Sequence, residues 1–255
     1  MRAFHRDSAA AELTYRSNLV AGIVLSLFWL VWAMITLRVF YDHVAVLHGW
    51  RYQDALLVLS LFFSVNGLRQ ALFQPSMLRM TEYIEKGTLD LFLTKPISTQ
   101  FLVSFRYVNP VAWIDCTWGG ALAVYCLVGR DPAPSAADLV RGVLLLGTAV
   151  VLLYCLSFGL QTLTLWTANS RELSDIVAGV IDIARFPIPL YGPLVSFVFT
   201  TVVPVAFFTT VPAQALMGQQ GWRTVAVAIG VAGAGLLVTR LLWTAALRGY
   251  QGVSS

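Results

Sequence analysis

The chain predicts an all-α integral membrane protein with six transmembrane helices. Three observations carry this. Of its 255 residues, 58% are hydrophobic and only 12% are charged, where a soluble domain carries roughly 25% charged residues. The apolar residues come in runs of bilayer-crossing length, because about 30 Å of hydrocarbon needs about 20 residues of helix. The charged residues gather between those runs instead of alternating through them. One integral domain, residues 1–255, accounts for the whole length.

Taken in order, Met1 to Asn18 is polar and amphipathic, and the apolar run after it continues to full span length, unlike a cleavable leader. Spans are expected over about 19–40, 54–72, 110–128, 143–167 and 222–247. The remaining apolar stretch, 174–211, carries Pro187, Pro189, Pro193 and Pro204, with Pro212 just beyond. Each internal proline removes a helical hydrogen bond, so one straight helix is excluded. Either a short fifth span near 174–186 is followed by a re-entrant hairpin, or a surface segment precedes a fifth span near 194–211. Both readings give six crossings, and both put broken backbone only where protein or water can satisfy it.

Arginine and lysine set the orientation. Arg2, Arg6, Arg16, Arg69, Arg79, Lys86, Lys95, Arg106, Arg171, Arg185, Arg240 and Arg248 fall on the side of the termini, against Arg38, Arg51, Arg130, Arg141 and Arg223 on the other. Both termini and the loop between the second and third spans are therefore expected in the cytoplasm. The excess of arginine over lysine (only Lys86 and Lys95 occur) points to a GC-rich bacterial genome. Cys116, Cys126 and Cys155 all lie in apolar runs at no ligand spacing and read as small buried hydrophobes. No clustered basic face for nucleic acid occurs, and no metal site is expected from His5, His43 and His48.

The long polar interruption is the loop after the second span. Ser76 can cap a helix that runs to Lys86 and stops at Gly87. Met77, Met80 and Ile84 would share one face; Arg79, Glu82 and Lys86 would share another, with Glu82 and Lys86 at the favourable i,i+4 spacing. Thr88 can cap a second short turn presenting Leu89, Phe92 and Leu93, which Pro96 ends. The residues by themselves also allow a solvated connection that only orients the spans.

Within this loop, Ile84-Glu85-Lys86-Gly87-Thr88-Leu89-Asp90 and Leu93-Thr94-Lys95-Pro96 resemble the I-x-x-G-x-L-D-x-x-L-x-[RK]-P signature of a branch of the ABC-2 family of ABC-transporter permeases. Tyr15-Arg16-Ser17-Asn18, the proline-rich stretch from Phe186 to Gly218, and the basic end Leu247-Arg248-Gly249-Tyr250-Gln251 are similar to the same branch, so the resemblance covers nearly the whole chain. Lys95 departs slightly, arginine being common there.

The resemblance implies the transmembrane subunit of an ABC exporter, pairing with a second permease, identical or related, and with two cytoplasmic ATPase subunits that bind the ATP and Mg. It also implies an N-terminal interfacial helix on the inner-leaflet lipid, here Ala9 to Arg16. The ATPase-coupling loop would carry Arg79, Glu82, Tyr83, Glu85, Lys86, Gly87, Asp90, Lys95 and Pro96. The fifth span would be 174–187, followed by an extracellular re-entrant segment 188–218 broken at Pro187, Pro193, Pro204 and Pro212. No G-x-x-x-x-G-K-[ST] phosphate loop occurs in the chain, so neither a nucleotide cofactor nor a catalytic residue is expected in it.

Asn66, Asp115, Asp182 and Arg185 are the polar groups at or near membrane depth, where charge is expensive and is usually paired or functional. Asp182 and Arg185 stand at i,i+3 and can pair. Asp115 reads as the partner of a neighbouring arginine or backbone group, and Asn66 as a hydrogen bond between helices. Together they could instead line a translocation path. Ala226, Gly230 and Ala234 offer a small-residue face on the last span, and Trp50, Tyr52 and Trp222 an interfacial aromatic belt. Two other classes compete with a permease: a non-catalytic membrane scaffold or channel subunit, and a lipid-modifying membrane enzyme. The enzyme would need acids, histidines or nucleophiles clustered at one depth, and here they are scattered.

Overall fold

A computed structural model describes residues 2–94, 96, 98–165 and 170–249. Helix α1 (Arg2–Tyr41) is followed by a small hairpin, β1 (Val46–Leu47) and β2 (Trp50–Arg51), then by α2 (Tyr52–Leu72). Positive φ at both His48 and Gly49 makes the two-residue turn that reverses the hairpin. A polar connection holds α3 (Gln74–Glu85), α4 (Asp90–Leu93) and α5 (Thr99–Phe105). Next come α6 (Trp113–Val128), α7 (Ala136–Thr162), α8 (Ser170–Ile183), α9 (Pro193–Phe197), α10 (Thr210–Leu216) and α11 (Trp222–Gly249). We call basal the end of the bundle that carries α3–α5, and distal the end that carries the hairpin.

Among the described residues, five helices are long and apolar enough to cross a membrane: Ser17–Tyr41 of α1, α2, Pro110–Val128, Ala136–Leu165 and Trp222–Arg248. The polar stretch before the first of them is not a separate helix, because α1 runs unbroken from Arg2 to Tyr41. No proline or glycine lies between the polar and apolar parts before Gly22, so nothing in the backbone ends a helix there.

α2 is the axis of the bundle, with 72% of its apolar window buried against 11–39% for the other four. It owes this to α6, which lies almost against it. A Cβ on Gly119 would stand 2.6 Å from the Ser60 carbonyl oxygen, and one on Gly67 would stand 2.9 Å from the Cys116 nitrogen. Glycine on both helices is what lets the backbones approach. The small-residue face of α11 does not play this part: Ala226, Gly230 and Ala234 are exposed. α11 instead packs through Val225, Ala228, Ala232, Trp243 and Ala246, a 3–4-residue stripe against α7.

The distal end is tied by charge. Arg130 donates to Asp54 at 2.7 Å, and Asp54 also accepts from the Arg51 backbone at 3.3 Å. Ser135 and Asp138 form a reciprocal capping box that starts α7. Arg141 bonds Asp138 and the Gln220 carbonyl, fastening α7 to the turn before α11. Trp50 is buried in this end, beside Leu57 and Leu216, and is not a belt residue.

Between α7 and α11 the chain does not make one helix. α8 begins against the basal end of α7, where Ser174 donates to Gln161. α10 finishes against its distal end, where Leu216 fills the space that a side chain on Gly142 would need. They meet midway: Thr209 donates to the Ala184 carbonyl at 2.6 Å, and the Ile188 amide donates to the Thr210 hydroxyl at 3.2 Å. With 14 and 7 residues, the two helices have a summed length of about 31 Å, close to one hydrocarbon thickness. Residues 188–208 are thus an excursion inserted at the junction, turned by Gly192 at φ +87° and opened by Pro187 and Pro193. Pro212 sits in the first turn of α10, where no helical hydrogen bond is lost.

Closing the excursion with two buried threonines makes a prediction. Changing Thr209 and Thr210 together to valine strands a buried carbonyl and a buried amide, costing about 1–3 kcal/mol for each group left unpaired. Limited proteolysis of the purified double variant should cut within 188–208 faster than in the parent. Equal cutting rates would show that the junction is held by packing alone.

Candidate functional site

Two features at different depths of the bundle have the make-up of a working site. The first is a cavity of about 570 Å³. α1 contributes Gly22, Leu25, Ser26 and Trp29, one face at i, i+3, i+4 and i+7. α2 contributes Phe62, Phe63, Asn66 and Gln70, again one face. Asn109, Val111, Ala112 and Asp115 come from the entry to α6, and Asp182 and Arg185 from the end of α8. Leu25 and Trp29 are more than half exposed, so the cavity opens past α1, away from the bundle.

All four membrane-depth polar residues expected from the sequence are therefore brought to one cavity, though two of them are partnered differently. Arg185 donates to Asp182 at 2.9 Å. Asn66 makes its bond within α2, accepting from Arg69 Nε at 2.9 Å, and not across helices. The reason is local: Arg69 is one turn on, buried to 7% exposure, and needs the nearest oxygen. Asp115 accepts from the Ser26 hydroxyl of α1, and among the described residues no arginine lies within ion-pair distance of it. Arg69, counted on the side of the termini, joins this polar group through Asn66, and Arg185 through Asp182. Ser26, Gln70 and Asn109 were missed by sequence reasoning. For the two helical ones the signal is a polar residue on the same helical stripe as an aromatic: Ser26 three residues before Trp29, and Gln70 seven after Phe63.

The second feature is the basal loop. α3 starts at Gln74, only Phe73 separating it from α2, so Ser76 lies inside the helix and not at its cap. Its hydroxyl reaches the backbone of Tyr107, donating to the carbonyl at 3.0 Å and accepting from the amide at 2.7 Å. Met77 and Met80 are buried; Arg79, Glu82 and Lys86 are exposed, with a Glu82–Lys86 pair at 3.7 Å. Gly87, at φ +64°, ends α3, and the Thr88 amide returns to the Tyr83 carbonyl. Thr88 does not cap α4; Leu89 precedes that turn without a side-chain bond and is fully buried. Pro96 is exposed. Lys95 and the side chains of Glu85 and Asp90 lie outside the described residues.

Rings and guanidinium groups hold the loop together. The Tyr83 ring packs tilted against Phe92, centroids 4.6 Å apart, and its hydroxyl donates to Tyr107 at 3.2 Å. Arg79 lies 3.8 Å over the Tyr107 ring, and Arg106 lies 5.2 Å from both Phe92 and Tyr107. Burial, helped by the bond to Tyr107, pushes the Tyr83 phenol up to about 12. Accepting that bond, and standing beside Arg79, lowers Tyr107 from its ordinary value. From α5, Phe105 stacks on Tyr154 of α7 at 5.5 Å. The ring series continues through Phe158 to Trp243 of α11. Tyr154 also bonds Gln100 and Ser104. Tyr107 and the Phe105–Tyr154 stack were not singled out from the sequence, although Phe101 to Tyr107 is dense in aromatics.

The chain matches the family model described as ABC-2 family transporter protein over residues 27–254. No curated protein and no solved structure matches it.

Proposed function

Because this chain belongs to the ABC-2 family of transporter proteins, a family of ABC-transporter membrane subunits, we propose that it is the permease of an ATP-driven exporter. It carries a hydrophobic or amphipathic substrate and pairs with a second permease chain, identical or related. ATP and Mg are bound by two separate ATPase subunits, consistent with the missing phosphate loop in this sequence. The arginine and lysine distribution puts both termini and α3–α5 in the cytoplasm, with a bacterial inner membrane as the setting.

The observation that carries this reading is the pre-organised basal loop. α3 offers exposed charged side chains, Glu82 and Lys86, to a soluble partner, with Arg79 exposed at the edge where it covers the Tyr107 ring. Its other face is locked to Tyr107 and, through Phe105 and Tyr154, to α7 and α11. A push on α3 by a closing ATPase would therefore reach helices rather than dissipate in a slack connection. α3 is also joined through Phe73 to α2, whose Asn66 and Gln70 wall the cavity. The cavity is the proposed substrate path, and the excursion 188–208 flanks it beyond Arg185.

Reversing charge at Glu82, Glu85 and Asp90 together should abolish co-purification of the ATPase, or its stimulation in the complex. The variant should still insert and elute as the parent does. A triple variant that captures the ATPase and transports normally would refute α3–α4 as the docking surface.

A further inference from the structure

The cavity has a charge asymmetry that bears on what it accepts. Its lining holds two carboxylates and one guanidinium. Arg185 is engaged by Asp182, and the second basic group nearby, Arg69, also acts electrostatically on Asp182. Asp115 has only the Ser26 hydroxyl among the described residues, and a hydroxyl does not compensate a carboxylate's charge. The cavity walls include two aromatic residues: Trp29, more than half exposed, and Phe62, over which Arg185 already stands at 5.3 Å. A ring that holds one cation on its face favours cations generally. The volume, about 570 Å³, falls in the range of about 300–1,000 Å³ typical for drug-sized ligands.

Resting on the permease reading above, we infer that the cavity takes organic monocations with an aromatic or alkyl body. The positive centre sits against Asp115 and the apolar body against Trp29 and Phe62. The Asp182–Arg185 pair supplies a neutral polar wall. An anion of the same shape meets Asp115 as a repelling group, while the charge of Arg185 is already balanced by Asp182, its buried Nε alone having no hydrogen-bond partner.

Tetraphenylphosphonium and tetraphenylborate, nearly identical in shape and opposite in charge, test this directly. Equilibrium binding of each is measured to the purified full chain in nanodiscs of zwitterionic lipid. The phosphonium should bind the parent more tightly than the borate. Asp115→Asn should weaken the phosphonium about tenfold, the effect of losing about 1.4 kcal/mol. Arg185→Gln should bind it at least as tightly as the parent. A merely structural role for these residues would lower binding in both variants. Should Asp115→Asn fail to fold, the preference of the parent together with weaker phosphonium binding in Trp29→Ala decides the matter. Equal or better binding of the borate, or an unchanged affinity in folded Asp115→Asn, overturns the inference. The assay needs neither ATP nor a partner chain. A chain that captures its ATPase but ignores the phosphonium loses only the charge inference. One that binds the phosphonium but captures no ATPase loses the permease reading.

Discussion

Replacing Gly119 with alanine is expected to be among the most damaging single-methyl changes in the chain. The new Cβ would stand 2.6 Å from both the Ser60 carbonyl oxygen and the Ser64 Oγ, and as close to the Ser64 nitrogen. Two of these neighbours are backbone atoms of α2 and cannot rotate away. Relief would come only by separating α6 from the most buried helix of the bundle, which also displaces Asp115 from Ser26. Overpacking of this kind costs about 1–3 kcal/mol, and an immobile neighbour puts it at the upper end. The apparent melting temperature in detergent should drop by several degrees. Gly120→Ala is the control: nothing lies within 4 Å of its added methyl, and alanine in a helix gains about 0.5–1 kcal/mol over glycine. If the two variants melt alike, the α2–α6 contact is not as close as described.

The second large effect is at the distal end. Asp54→Ala removes the partner of Arg130 and the acceptor for the Arg51 amide at once. The two side chains are only 12% and 20% exposed, so neither charge is well hydrated when left alone. Breaking a fully buried pair costs about 3–5 kcal/mol; the residual exposure here lowers the expectation to about 2–3 kcal/mol. Because the pair is largely shielded, the difference from the parent should change little between low and high salt. Changing Arg130 to leucine alongside Asp54→Ala should restore much of the loss, since no charge then remains unpaired. A single variant as stable as the parent would reduce the pair to a surface contact.

Much of the architecture was readable because lipid imposes length and polarity on each crossing separately. Five spans follow from apolar runs alone, and the polar loop from their interruption. What escaped depends on the relative rotation and depth of helices, which no single run contains. Ser76 has the chemistry of a cap, but its partner Tyr107 is 31 residues away, and a long-range bond overrides the local preference. Ala226, Gly230 and Ala234 have the spacing of a contact face, yet the glycines that matter are Gly67 and Gly119, one on each of two helices. Prolines between 187 and 212 excluded a straight helix correctly in kind. They could not reveal that α8 and α10 share one partner, because that is a property of α7. The same holds for the cavity: each polar residue was recognisable as expensive, but its pairing depended on which neighbour stood nearest.

The junction between α8 and α10 also bears on how the protein is made. A nascent segment leaves the translocation machinery for lipid when it alone is long and apolar enough. Neither α8, with 14 residues, nor α10, with 7, meets that condition. α7 must therefore already be in place as a template, and the segment between α7 and α11 is positioned by the protein instead of by the bilayer.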